Sequence, residues 1–418
     1  TGRGKTRFDT LLLWVHLKTY SVLEFGRINY ENVAYFNFET NPKLNRTFEE
    51  NISPDYLIPI LSHISGQTIV KEKTLIIFDE VQLCERALTS LKYFCEDAPD
   101  YHIIVAGNLL GVAVNRAKFS FPVGKVDMKT MYPMDMEEFM IAMGEEKLAA
   151  QVRQCFETNT AMPSALHDAA MQLYRQYLVV GGMPECVLQF AQTRDYILIR
   201  NTQDTILASY LNDMSKYNNL NEIKKTRLAY DNITVQLSKK NTRFQYKLIK
   251  KGGRASEFEN AIEWLCLSGI VSQVYRIEQI KKPLENYRDI DAFKIYVSDL
   301  GLLCAKKDLA ANDILYMAEE LNDFKGGMAE NYVNVQLSIN GYHTYYWESA
   351  RGAEIDFVIQ RNEQLIPIEV KSADNTRAKS LKVYMETYDP EYAIKLSAKN
   401  FAFEDNKKTV PLYAAFCI

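Results

Sequence analysis

No stretch of this chain approaches the ~18 uninterrupted apolar residues that a membrane-spanning helix needs, so no membrane association is expected. No Cys-x-x-Cys pair exists either. Cys84, Cys95, Cys155, Cys186, Cys266, Cys304 and Cys417 are scattered and odd in number, the pattern of reduced cytosolic thiols rather than of a disulfide framework or a zinc site. The five histidines fall at no metal-like spacing. Positive charge is not in excess: 49 Lys and Arg stand against 53 Asp and Glu, a net charge of −4. Global attraction to nucleic acid is therefore excluded, and any such binding must come from a local patch. Repeats, low-complexity segments and a signal peptide are not visible. The expected location is cytoplasmic, although the chain starts at Thr1 rather than Met and targeting stays open.

What is present is the composition of an ordinary globular protein, 47% hydrophobic and 24% charged, over 418 residues, enough for two to four domains. Residues 1–140 alternate between strand and helix. Strands are expected at Leu11–Val15, Val33–Phe38, Thr74–Phe78 and Ile103–Ala106. Helices are expected at Thr19–Phe25 (with Gly26 as its stop), Pro54–Ile64 and Ala87–Phe94. That alternation predicts a parallel, doubly wound sheet. Residues 135–200 look helical, broken at Gly181-Gly182-Met183-Pro184, and 201–275 mostly helical and basic. Beyond Asp291 come strands at Phe293–Val297, Tyr342–Trp347, Glu354–Ile359, Leu365–Val370, Tyr392–Leu396 and Val410–Phe416. Helices are expected there at Ala329–Leu337 and Lys379–Thr387.

Leu75-Ile76-Ile77-Phe78-Asp79-Glu80 runs four apolar residues straight into two carboxylates. A continuous apolar run suits a strand buried on both faces, and its carboxyl end is where open α/β sheets bind ligands. In phosphate-transfer machinery that end supplies a magnesium-holding Asp, and the next acid can polarise a water. A core strand that ends in a solvated acidic turn is the plainer alternative.

A phosphate loop needs the pattern Gly-x-x-x-x-Gly-Lys-Ser/Thr between a strand and a helix. The chain has no intact copy. Lys18-Thr19 stands in the right context, but Leu12 and Leu17 occupy the two glycine positions. Gly4-Lys5-Thr6 keeps the core of the motif, but its leading loop and strand would lie before Thr1. Position favours Lys18-Thr19.

Asp79-Glu80 with Gln82, Gly107-Asn108-Leu109-Leu110-Gly111, Phe121-Pro122-Val123-Gly124 and Tyr132-Pro133 together resemble a family of prokaryotic AAA-type ATPases. These carry a C-terminal domain of unknown function related to PD-(D/E)xK nucleases. The resemblance extends from about Tyr20 onward. It implies ATP and Mg2+ as ligands, Asp79 as a magnesium holder, Glu80 as the group that activates water, and Asn108 as a polar sensor. The family's glycine-rich loop falls at 12–19, where this chain departs from it. Rings are common in such proteins because a neighbour supplies an arginine, so a homo-oligomer is a possible state. Arg86 and Arg116 are possible donors.

Near the C-terminus, Asp356 lies in Glu354-Ile355-Asp356 and Glu369 in Glu369-Val370-Lys371. Alternation puts Glu369 and Lys371 on one strand face. Two carboxylates and a lysine converging from neighbouring strands suit a divalent cation, Mg2+ or Mn2+, that activates water. Glu330 from the preceding helix could add a further metal-binding acid. This order resembles the PD-(D/E)xK core; an exposed charged strand face, or a nuclease-like fold that binds without cutting, are the alternatives. Finally, Lys239, Lys240, Arg243, Lys247, Lys250, Lys251 and Arg254 form a basic run with Phe244 and Tyr246 interleaved and no acid. That is the footprint of a DNA or RNA backbone contact, or simply a solvated surface. With the helix at Ser256–Leu267 it resembles a winged helix.

The expected fold is therefore α/β throughout. Residues 1–140 form a P-loop NTPase-like AAA core, 141–204 a helical lid, 205–305 a winged-helix-like basic domain and 306–418 a PD-(D/E)xK nuclease-like domain. The expected function is an ATPase whose nucleotide state governs a nucleic-acid-binding module. A metal-dependent nuclease with a vestigial ATPase domain, or a non-catalytic binding or scaffold protein, are the alternatives.

Overall fold

The computed structural model describes residues 17–107, 124–216, 220–237, 243–372 and 379–418. The expected strand Leu11–Val15 lies outside them. So do Asn108, Arg116, Lys239, Lys240 and the Gly4-Lys5-Thr6 motif, and the side chain of Lys18 is likewise not described. The chain divides into two compact units, Thr1–Met131 and Tyr132–Ile418.

In the first unit, β1 (Asn32–Asn37), β2 (Thr74–Asp79) and β3 (His102–Val105) form a parallel sheet in the order β1-β2-β3 among the described residues. The register places Asn37 beside Asp79 and Phe78 beside Val105. Every residue of β2 is buried, which is why its sequence is an unbroken apolar run. Helices α1 (Leu17–Asn29), α2 (Lys43–Glu50), α3 (Pro54–Ser65) and α4 (Glu85–Asp97) accompany the sheet. Phe36, Phe38, Phe48 and Phe78 interlock edge to face in the core between them. Gly26 does not stop α1 as expected. It lies inside the helix, at its closest approach to the sheet, where a β-carbon would come within 2.6 Å of Val33 and 3.1 Å of Leu75. A glycine that does stop a helix in this unit is Gly66, left-handed at φ +65° after α3.

The second unit opens with α5 (Met136–Ala142), α6 (Glu146–Thr158), α7 (Ser164–Val180), α8 (Pro184–Thr193), α9 (Tyr196–Lys216), α10 (Leu220–Leu237), α11 (Tyr246–Ile249) and α12 (Ala255–Leu267). Then come β4 (Val271–Ile277), β5 (Arg288–Val297), α13 (Leu300–Lys306), α14 (Ala311–Leu315) and α15 (Asn322–Ile339). The unit closes with β6 (Tyr345–Glu348), β7 (Glu354–Arg361), β8 (Gln364–Val370), α16 (Lys379–Tyr388), β9 (Ala393–Ser397), β10 (Ala402–Glu404) and β11 (Lys407–Pro411). The strands make one mixed sheet in the order β10-β11-β9-β8-β7-β6-β4-β5.

All three expected boundaries, at 140/141, 204/205 and 305/306, fall inside this unit. The β4–β5 hairpin follows three helices as a wing would, but β4 also pairs in parallel with β6, Tyr275 beside Tyr345. The sheet thus runs across position 305. The helices of residues 146–180 pack on the C-terminal end of their own unit. Met162 N–H donates to Asn400 Oδ1 at 2.9 Å, His167 Nδ1 lies 2.9 Å from Tyr413 Oη, and the Lys408 ammonium lies 3.5 Å from the centre of the Phe156 ring. The last strand also ends earlier than expected. Pro411 has no N–H to continue the ladder, and Leu412–Cys417 turns as a buried 3₁₀ helix.

α15 is buried almost all round, so its polar residues need internal partners. Asn331 exchanges two hydrogen bonds of 2.7 Å with the Val297 backbone, Asn334 Nδ2 donates to Ser272 Oγ, and Gln336 Oε1 accepts from Met136 N–H. At Gly327 a β-carbon would lie 2.1 Å from the Leu237 carbonyl oxygen, so only glycine allows this approach.

Candidate functional site

The carboxyl end of β2 delivers Asp79 to the end of the parallel sheet, 3% exposed. Thr19, in the first turn of α1, donates its hydroxyl hydrogen to Asp79 Oδ2 at 2.8 Å. Tyr35 and Asn37, two residues apart on one face of β1, reach the same oxygen at 2.6 and 3.5 Å. Burial and that bond to Asp79 push the Tyr35 phenol up to about 12, so it stays a donor. The other oxygen, Oδ1, accepts the Glu80 N–H at 3.0 Å. Glu80 itself sits in the left-handed region (φ 52°, ψ 38°), an unusual conformation for glutamate that turns the chain directly after the strand. Gln82 Nε2 donates to Glu80 Oε2 at 2.5 Å, and Val81 N–H ties the turn to the Ala106 carbonyl just past β3.

The structure therefore joins Thr19 to Asp79 across 60 residues. A hydroxyl and a carboxylate side by side, with neutral donors around them among the described residues, are hard oxygen ligands of the kind Mg2+ takes, and they fit such an ion. Tyr35 and Asn37 were not foreseen. Their signal was present as period-two polarity in Val33–Phe38, read only as a strand. Arg86, one of the two possible neighbour-reaching arginines, is used internally: its Nε donates to the Phe48 carbonyl at 2.6 Å.

The second cluster forms where β7, β8, β5 and α15 meet. Phe357 opposes Ile368, which sets Asp356 and Glu369 one step further along the same antiparallel pair. Val370 N–H donates to Asp356 Oδ2 at 2.7 Å. Glu369 is 2% exposed; its Oε1 accepts from Lys371 Nζ at 2.6 Å, while Oε2 is buried without a hydrogen-bond partner. Burial and the nearby Glu330 push the Asp356 carboxyl up to about 7, against the pull of Lys294, Lys371 and the Val370 N–H. Burial alone would lower the Lys371 ammonium, but Asp356 and Glu369 raise it above its ordinary value. Glu330, Asp356, Glu369 and Lys371 are thus brought together.

Glu330, expected as a further metal-binding acid, has one carboxylate oxygen engaged by other side chains. Its Oε2 is taken by Lys294 Nζ at 3.4 Å and by the Tyr296 hydroxyl at 3.0 Å. Lys294 also contacts Glu354 Oε1 at 2.5 Å. Among the described residues no group of three or more His, Cys, Asp or Glu is placed to hold a metal ion. The residues present do not fit a three-carboxylate Mg2+ or Mn2+ site. Lys294 and Tyr296 were missed, although a lysine in the otherwise buried run Ala292–Val297 was a signal that something must pair it.

In the basic stretch, Lys247, Lys250, Lys251 and Arg254 are exposed. Arg243 forms an isolated antiparallel bridge with Lys294 at the edge of β5, and Phe244 stacks on Phe293 at 5.4 Å. The aromatic residues are thus packing rather than stacking platforms: Phe244 is 7% exposed. Lys250 pairs with Glu257, and the exposed face of α12 carries Glu259 and Glu263.

Residues 18–140 match an AAA domain family. Residues 171–313 match a domain of unknown function (DUF8612), and 325–415 a second domain of unknown function (DUF4143). No curated protein matches. Among solved structures, the Walker-type ATPase PABY2304 of Pyrococcus abyssi aligns over 71% of this chain and 96% of its own, at 11% identity and a TM-score of 0.38, too slight a likeness to argue from. The AAA match, on a unit whose parallel sheet ends in Asp79, supports an AAA-type ATPase. No helix among the described residues is long and apolar enough to cross a membrane.

Proposed function

We propose that the first unit binds ATP with Mg2+ at Lys18, Thr19 and Asp79 and hydrolyses it with Glu80 as the group that orients and polarises the attacking water. The hydrogen bond from Thr19 to Asp79 carries this reading, because it unites the two residues the chemistry needs at one sheet end. It also favours Lys18-Thr19 over Gly4-Lys5-Thr6 as the phosphate-binding pair. Mg2+, when bound, neutralises the phosphate oxygens and is held by the Thr19 hydroxyl and the Asp79 carboxylate. Tyr35 and Asn37 orient Asp79 from the neighbouring strand. Gln82 and the left-handed turn fix the direction of Glu80. Asn108 follows β3 as the polar sensor.

Thermal unfolding with and without Mg2+-ATP tests the site. At a hundredfold excess over the dissociation constant, binding stabilises the native state by about 2.7 kcal/mol. The expected result is an upward shift that Lys18→Ala and Thr19→Ala abolish. No shift in the unaltered chain overturns the proposal and means that Leu12 and Leu17 have closed the loop.

The second unit, in this reading, is a nuclease-like module that contacts DNA or RNA and responds to nucleotide state. The exposed Lys247, Lys250, Lys251 and Arg254 support the contact. The acidic face of α12 argues for backbone contact beside that helix rather than base readout by it. Binding that falls with salt, with a slope reduced by about 1 for each of Lys251→Ala and Arg254→Ala, is expected. Salt-independent binding, or none, removes the nucleic-acid partner.

A further inference from the structure

Lys294 is the most deeply buried cation of the second cluster, 1% exposed, on β5. Its ammonium reaches Glu354 Oε1 at 2.5 Å and Glu330 Oε2 at 3.4 Å, and lies 5.1 Å from the centre of the Tyr346 ring. Tyr296 closes the remaining side by donating to the same Glu330 oxygen. Burial alone would strip the proton from such a lysine. Glu330, Tyr296, Glu354 and Asp356 together overcome that pull and hold its pKa well above the ordinary value, so it remains charged.

A buried ammonium fixed between carboxylates from α15 and β7 does two things. It supplies the positive charge that makes burial of those carboxylates tolerable. It also repels a second cation strongly, because the low local dielectric magnifies like-charge interaction as much as attraction. Asp356 Oδ2 accepts the Val370 N–H and Glu369 Oε1 is held by Lys371, so among the described residues Glu369 Oε2 is the buried carboxylate oxygen of the cluster left without a hydrogen-bond partner, in a cluster with two ammonium groups rather than one. We infer that Lys294 is the resident cation of this cluster and takes the place that a divalent metal holds in a cleaving nuclease. The cluster is then a built-in charge network joining α15, β5 and β7, and any nucleic-acid contact by this unit proceeds without metal-dependent cleavage. This goes beyond the ATPase proposal and does not depend on it.

The test uses the full chain without nucleotide and counts bound Mn2+ by the loss of the free-ion electron paramagnetic resonance signal. The unaltered protein is expected to hold no Mn2+ that Asp356→Asn removes; any ion at Asp79 is recognised by its loss in Asp79→Asn. Lys294→Met, which keeps length but removes charge, is expected to melt lower and to regain stability with Mn2+ in an Asp356-dependent way. Where Lys294→Met fails to fold without Mn2+, Lys294→Arg should fold and remain indifferent to the ion. The inference is overturned by Asp356-dependent Mn2+ binding in the unaltered chain. A metal-free Lys294→Met protein as stable as the original overturns it too, since the cluster would then need no cation.

Discussion

Asp79 and Glu330 are both acids beside a sheet, yet their partners differ in kind. Asp79 is held by a hydroxyl, a phenol, an amide and a backbone N–H, all neutral. Glu330 is held by a fixed ammonium as well as a phenol. Neutral donors can be exchanged for a metal ion without stranding a charge. An ammonium cannot leave without stranding one, because the lysine is tethered to its strand. The first arrangement suits a site that fills and empties, the second one that stays closed.

The comparison can be broken most severely at Lys294. Removing one partner of a buried pair leaves an uncompensated charge, so Lys294→Met should destabilise the second unit by about 3–5 kcal/mol in denaturant unfolding. A loss below about 1 kcal/mol would place the pair among ordinary surface contacts.

Asp299 supplies an intermediate case, a carboxylate 1% exposed with neutral donors but no cation: Gly182 N–H at 2.7 Å and Leu302 N–H at 2.8 Å. Burial pushes it up from 3.8 to about 6 despite those donors. The folded state therefore holds its proton more tightly than the unfolded chain. Its contribution is most favourable below pH ~4, declines as pH rises to about 6, and is then constant, a total of about 3 kcal/mol at 1.36 kcal/mol per unit. Stability measured across pH 4–6 should show this decline, and Asp299→Asn should flatten it. An unchanged slope in the variant would assign the decline elsewhere.

At the nucleotide site the expected losses are in rate. Glu80→Gln should lower ATP turnover about a hundredfold, equivalent to about 2.7 kcal/mol, while Mg2+-ATP still raises the melting temperature. Equal turnover would remove Glu80 from the mechanism. Thr19→Ala is the mildest change: about 1 kcal/mol of stability for the lost hydrogen bond, with a much larger loss of Mg2+-dependent ATP binding. If the two losses are equal, Thr19 is structural only.

Much of this was legible locally. Four apolar residues in a row, Leu75–Phe78, marked β2 and put two acids at its end. Alternation at Glu369 and Lys371 placed both on one face, and the order of Glu330 before Asp356 matched their eventual meeting. What failed to show locally was long-range. Gly26 reads as a stop in sequence and is a contact surface only because Val33 and Leu75 lie against it. The helices at 146–180 have the pattern of any amphipathic cover, and nothing within them names Asn400 and Tyr413 as partners. Lys294 was hidden because its partners come from 36 and 60 residues away. The wing was assigned to a separate domain because the pairing of β4 with β6 leaves no trace in either strand.

That pairing also imposes an order on synthesis. Tyr275 waits for Tyr345, so the centre of the sheet cannot close until the later strand has left the ribosome. At roughly 5–20 residues per second the gap lasts several seconds. Throughout it the β4–β5 hairpin presents an unpaired edge, the feature most prone to intermolecular strand addition. A nascent chain stalled or truncated before β6 should therefore be an aggregation substrate even though the helices up to α15, the hairpin and the whole first unit have already been made.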